Sequence, residues 1–178
     1  MRDPHSTIRP AQPADAAILA EFVNMAGDGL PFYLWTTMAA PGEHPWEVGR
    51  KRAMRETGSF SYRNAFMLES SGQPVACLVG YPLPDAPEAI DYDTLPAMFV
   101  PLQELENLAP RTWYVNVLAT RPDERGKGYG TELLSLADRL ARESNRDGTS
   151  IIVSDANVEA RCVIRQAASQ TPSVEIGN

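Results

Sequence analysis

"RPDERGKGYGTELL", residues 121–134, decides how this chain is read. Three glycines and two cations fall within Arg125–Gly130, after the β-rich run "RTWYVNVLAT" (111–120) and before a helical pattern. Trp, Tyr and Val suit a buried central strand. From Gly128 to Glu143 the apolar Leu133, Leu134, Leu136, Ala137, Leu140 and Ala141 share one helical face, with Glu132, Asp138, Arg139, Arg142 and Glu143 on the other. The glycines therefore stand at the mouth of a helix. There the first N–H groups lack intrahelical acceptors and carry partial positive charge. Glycine lets the backbone approach a ligand closely, and Arg125 and Lys127 add mobile charge. Such a turn suits an anion, and a pyrophosphate above all.

Two familiar phosphate loops do not fit. A P-loop needs G-x-x-x-x-G-K-[ST], but Lys127 is followed by Gly128 and no glycine stands at the upstream position. A dinucleotide fingerprint needs G-x-G-x-x-G, and Leu133 occupies the place of its third glycine. What does match is R-x-x-G-x-G, made by Arg125, Gly128 and Gly130.

Outward from the loop, "TSIIVSDAN" reads as a further strand, and Asn157 opens a last helix, "VEARCVIRQAAS". Upstream, "NAFMLES" and "PVACLVGYPL", joined by Ser71-Gly72-Gln73, predict a hairpin. The N-terminal "STIRPAQPADAAILAEFVNMAG" predicts a strand, a turn and a helix capped by Asp15, with Ile18, Leu19, Phe22 and Val23 as its apolar stripe and Gly27 at its end. "GLPFYLW" (29–35) suits an acceptor pocket or core packing of Phe32 and Trp35, and "PWEVGRKRAMRE" (45–56) a basic helix. Residues 82–110 hold six prolines, six acidic side chains and no lysine or arginine. Their apolar stretches predict an ordered insertion with a short helix around Leu102–Leu108, either a solvated loop or an acidic wall over a cationic acceptor.

Composition narrows the class. The 178 residues suffice for one domain with a substantial core, and a hydrophobic share of 43% suits a soluble chain. No apolar run or leader pattern points to a membrane or to secretion. A net charge of −7 disfavours nucleic acid. Cys77 and Cys162 lack any motif, so a reducing cytoplasm is expected, and the isolated His5 and His44 suggest no metal.

"NVLATRPDERGKGYGTELLSLA" (116–137) resembles the coenzyme A-binding segment of the GNAT N-acetyltransferase superfamily, written as a strand, an (R/Q)-x-x-G-x-(G/A) loop and a helix. The resemblance runs from Ile8 to about Arg161 and includes "RPAQPAD", the hairpin and "DANVEA". It implies a single α/β domain over residues 1–178 with the acyl-CoA N-acyltransferase fold. Its mixed central sheet is flanked by helices, and its fourth and fifth strands splay to admit the pantetheine arm. It implies, further, that Leu118, Ala119 and Thr120 offer backbone groups to that arm. Arg125, Gly126, Lys127, Gly128, Tyr129, Gly130 and Thr131 would hold the pyrophosphate, and Asn157 would lie near the thiol. The implied reaction is direct transfer from acetyl-CoA to an amine of a small molecule or protein.

The family pattern breaks after Ala160. Members continue A-x-x-L-Y-x-x-x-G-F into two more strands, and the tyrosine commonly protonates the leaving thiolate. Here Ile164 stands in its place, residues 162–178 are atypical, and the last two strands have no counterpart. Three origins are compatible with this: divergence with the edge covered by a second copy in a homodimer, a shortened chain, or a change of frame near codon 162. The general base is unassigned. Glu69, Tyr81, Tyr114 and Asn116 lie on strands expected near the splay, where a base could sit, though a structural role is the first reading of each. The alternative to an enzyme is a degenerate acyl-CoA-binding or interaction protein.

Overall fold

In the computed structural model, which describes residues 5–154 and 157–168, five strands form one sheet in the order β1-β2-β3-β4-β5. They are β1 (Ser6–Pro10), β2 (Ala65–Ser70), β3 (Gln73–Pro82), β4 (Thr112–Thr120) and β5 (Gly148–Ile151). The hairpin expected at 64–83 forms from β2 and β3. Ser71 and Gly72, at φ 50° and 75°, make its two-residue turn, whose left-handed backbone matches the twist of the strands it joins. β1 pairs antiparallel with β2, and β2 with β3. β4 pairs in parallel with β5 from Thr112–Gly148 to Val115–Ile151. That ladder ends with β5 itself at Ile151, while β4 runs on to Thr120.

The chain divides into two compact units. The first comprises residues 1–80 and 117–133. It contains α1 (Ala16–Ala26), α2 (Leu30–Met38) and α3 (Pro45–Ala53). Leu19 and Phe22 of α1, Trp35 of α2, and Val48 and Ala53 of α3 form one buried cluster with Met67, Cys77, Val79, Val117 and Ala119 of the strands. The α2 helix is absent from the sequence expectation. Its run "LPFYLWTTM" lacks a clean polar face, and the packing of Phe32 and Trp35 on Trp46, with centroids 5.1 and 5.7 Å away, holds it instead. That places Trp35 in the core, with the half-buried Phe32 packed against it.

Asp15 departs from its expected part as well. Its side chain makes no cap bond to α1. The carboxylate instead accepts two bonds from the Arg9 guanidinium, at 2.8 and 2.9 Å, and one from the Gln12 N–H at 2.7 Å. Arg9 also binds Glu69 at 2.7 Å, so one guanidinium ties β1, β2 and the entry to α1. The bond from Arg9 holds the Asp15 carboxyl below the usual aspartate range. A lowered folded value stabilises above the unfolded value, about 3.9, and is lost as pH falls through the lowered one. Asp15→Asn should cost roughly 2 kcal/mol at neutral pH. Its urea midpoint should converge with that of the wild type as pH drops to about 2. A constant gap across that range would show that the carboxylate charge is immaterial.

The second unit comprises residues 81–116 and 134–178. It contains α4 (Val100–Glu106), most of α5 (Tyr129–Glu143) and α6 (Val158–Ala168). Leu134, Leu136, Ala137 and Ala141 of α5 are buried, as are Trp113, Tyr114 and Val115 of β4. The 82–110 insertion is ordered by specific bonds. The Leu83 N–H donates to Thr112 O and the Arg111 N–H to Pro84 O, each at 2.8 Å. The Asn107 amide takes the Glu88 N–H at 3.0 Å and donates to Glu88 O at 2.8 Å. Arg146 binds Asp85 at 2.7 Å and Leu83 O at 3.1 Å. The insertion's helix lies two residues earlier than expected, because Pro101 sits in its first turn, where its missing N–H costs nothing. The expectation about the family's final strands concerns residues 169–178, which lie outside the described ones. Among the described residues no helix is long and apolar enough to cross a membrane.

Candidate functional site

At the end of β4, Leu118 and Thr120 are half-buried and Ala119 is buried. The chain then turns through Pro122–Glu124, a short 3-10 segment, into the glycines. Arg121 anchors this exit. Its N–H donates to Val75 O at 2.9 Å, its Nε to Pro74 O at 3.0 Å, and its guanidinium lies 6.0 Å from the centre of the Phe22 ring. Although it opens the decisive stretch, Arg121 is committed to holding β3 and α1.

Gly126 and Gly128 take φ values of 78° and 88°, where a side chain strains the backbone. A Cβ built on either would meet no atom within 4 Å. Neither glycine answers to crowding: each permits the turn and leaves its outer face bare. The first helical bond of α5 runs from the Glu132 N–H to Gly128 O at 3.0 Å. The N–H groups of the turn before it precede the helical ladder and carry the partial positive charge of the helix start. Tyr129 and Leu133 are buried at this turn. Lys127 pairs with Glu124 at 2.7 Å, which raises its ammonium above the ordinary lysine range. Arg125 is exposed, with its Nε 3.5 Å from Thr120 O.

The structure thus brings Leu118, Ala119, Thr120 and the Arg125–Thr131 turn together in the first unit. Asn157 belongs to the second. It is exposed and caps α6: its Oδ1 accepts from the Ala160 N–H at 3.1 Å, and its own N–H donates to Ser154 O at 2.9 Å. Ile164, on α6, is half-buried and has no proton to give.

The four strand candidates for a base separate clearly. Glu69 is held by Arg9. Asn116 is exposed and carries no titratable group. Tyr81 and Tyr114 meet edge-on with centroids 5.6 Å apart, and burial, followed by the charge of Glu106, pushes both phenols up. Glu106 itself was absent from the sequence candidates. Burial, and then Glu88, raises its carboxyl above the ordinary glutamate range. Its signal was available: Glu106 follows Leu102 by four residues and precedes Ala109 by three, so it interrupts an apolar helical stripe. Cys77, wholly buried with its thiol pushed up by burial, is packing. Among the described residues no group of three or more metal-ligating side chains stands together.

The chain matches the model of the Acetyltransferase (GNAT) family over residues 32–166, more than half its length. Its fold is similar to that of ribosomal-protein-alanine N-acetyltransferase from Brucella melitensis biovar Abortus 2308, at 15% identity, covering 97% of this chain and 96% of that one, with a TM-score of 0.60. An agmatine N-acetyltransferase aligns at 17% identity over 91% of this chain and 81% of its own, with a TM-score of 0.59. Aminoglycoside N-acetyltransferase AAC(6')-Iy in complex with CoA aligns at 10% identity over 98% and 93%, with a TM-score of 0.56. No curated protein matches the chain in sequence.

Proposed function

The chain belongs to the GNAT acetyltransferase family, and from that premise we propose that it transfers the acetyl group of acetyl-CoA directly to an amine. The observation that carries this reading is the open turn at Gly126 and Gly128, whose left-handed backbone leads into the start of α5. In this reading the main-chain N–H groups of Arg125–Thr131 hold the pyrophosphate, and a Cβ at either glycine would stand in its way. Arg125 and Lys127 attract the phosphates from outside. Backbone groups of Leu118, Ala119 and Thr120 bind the pantetheine arm, and Asn157 orders the start of α6 near the thiol.

Direct transfer asks little of an acid on the protein. The attacking nitrogen enters as a neutral amine with two protons, and forming the amide releases one of them. That proton matches the charge of the departing thiolate, so the isoleucine at position 164 is compatible with turnover. The same isoleucine favours the second reading, an acyl-CoA-binding protein that has lost catalysis.

Titration calorimetry with acetyl-CoA and with CoA, followed by thiol release over a panel of amines, tests the proposal. Micromolar binding with amine-dependent thiol release is expected. Binding without release from any amine would establish the second reading, and no binding by a folded chain would remove both.

A further inference from the structure

The basic helix α3 and the loop after it carry five cations, Arg50, Lys51, Arg52, Arg55 and Arg63, whose acceptors can be followed one by one. Arg50 pairs with Glu47 at 2.8 Å, and Lys51 with Glu43 at 2.5 Å. Arg63, in the short 3-10 turn Tyr62–Asn64, is held by Glu56. Arg52 and Arg55 meet no carboxylate among the described residues.

Arg52 also stands on the wrong face for a solvated cation. It follows Gly49 by three residues and Val48 by four, so it shares their side of the helix. That side faces inward: Val48, Gly49 and Ala53 are buried, and Gly49 backs onto the Trp35 indole. The Arg52 side chain is half-buried and has no hydrogen-bond acceptor among the described residues. Burial, followed by the charge of Arg55, lowers its guanidinium below the ordinary arginine range. Its nitrogens are not sealed from solvent, so a solute can reach them.

Arg55 lies one turn on and is placed by the backbone. Its Nε donates to Arg52 O at 3.2 Å and its Nη2 to Phe60 O at 3.4 Å. Gly58, at φ 91°, leaves it room, since a Cβ there would lie 3.3 Å from Nη2. Two guanidiniums therefore adjoin the end of α3 with only main-chain carbonyls to answer them. The helix end supplies about half a negative charge, less than either cation carries. An arginine fork has donors alone, in a geometry that matches phosphate oxygens. A single carboxylate would balance one of the two charges, whereas a phosphate dianion balances both.

We infer that Arg52 and Arg55 form a binding site for the phosphate of a phosphomonoester, distinct from the Arg125–Thr131 turn. The ligand is held there and not chemically changed. This site stands whether or not the chain acetylates an amine.

The test titrates inorganic phosphate and O-phosphoethanolamine into the full chain at constant ionic strength, with chloride as the control. Tm and the arginine Nε–H resonances are followed. The glycine turn is a second place for phosphate, so the titration is run in Gly128→Asp as well as in wild type. A saturable rise in Tm and a shift of the Arg52 resonance are expected in both chains. Binding should strengthen as phosphate loses its second proton, near about pH 6. Arg52→Gln should weaken it roughly tenfold or more, and Arg52→Lys, which keeps the charge but loses the fork, should recover only part. Arg55→Gln, at an exposed position, should act in the same direction and keeps the test decisive if Arg52→Gln does not fold. Acetyl-CoA affinity should be unchanged in all three. A tighter response to O-phosphoethanolamine supports an organic monoester, and equal responses support free phosphate. No saturable response to either probe overturns the inference. So does a response equal in wild type and Arg52→Gln but lost in Gly128→Asp, which would put phosphate at the turn and leave the acetyl-CoA reading standing.

Discussion

A Gly128→Asp chain is expected to lose acetyl-CoA affinity by well over tenfold, beyond about 1.4 kcal/mol, while keeping its fold. Gly128 has φ 88°, and a Cβ there meets nothing within 4 Å, so the protein itself leaves room for the side chain. The conformational cost is about 1 kcal/mol, and aspartate tolerates this backbone region better than most residues. What changes is the bare face of the turn. A carboxylate would occupy the ground proposed for the pyrophosphate, adding a like charge at close range. Gly128→Asn separates the two effects, since it has the same shape and backbone tolerance but no charge. Calorimetry should rank wild type above Asn and Asn above Asp. Arg125→Ala should cost less than Gly128→Asp, because main-chain donors carry most of the proposed recognition. Equal affinity across the glycine series would place the ligand elsewhere.

Trp35→Ala should cost about 3–5 kcal/mol, the range for deleting a fully packed aromatic. Trp35 is 3% exposed and stacks on Phe60 with centroids 6.1 Å apart and planes 18° from parallel. Trp46 packs on it at 5.7 Å. On its other side α3 comes so close that a Cβ at Gly49 would lie 2.7 Å from the indole ring, so nothing but glycine fits there without displacement. Removing the ring empties the seam between α2 and α3. In a domain whose stability is ordinarily about 5–15 kcal/mol, such a loss lowers Tm by roughly 6–20 °C. Thermal melts read this directly, with Tyr33→Ala as a control on the same helix, since Tyr33 is 62% exposed. A Trp35→Ala melt within about 2 °C of wild type would show that the seam does not carry the fold.

The elements legible in the sequence are those whose chemistry is local. The Ser71-Gly72 turn, the amphipathic face of α5 and the glycines at its mouth each follow from backbone sterics and side-chain period within a few residues. The elements that were not legible depend on distant partners. The aromatic run of α2 carries no decisive period, and its helix exists because Trp46 and Phe60 receive its rings. Asp15 was read as a cap because caps are local, whereas Arg9 on a neighbouring strand claims its carboxylate. Glu69 looked as available as any strand acid until the same arginine reached it.

The loop from Arg125 to Gly130 and its place between strand and helix could be read from residue order alone, because glycine's freedom and the polarity of a helix start are properties of the chain itself. The standing of each acid could not. Glu69 and Glu106 are the same residue type, yet an arginine from β1 meets one, while burial beside Tyr114 leaves the other without a partner among the described residues. Charge and solvation act through space, so which carboxylate meets a cation and which does not is decided only when distant segments pack.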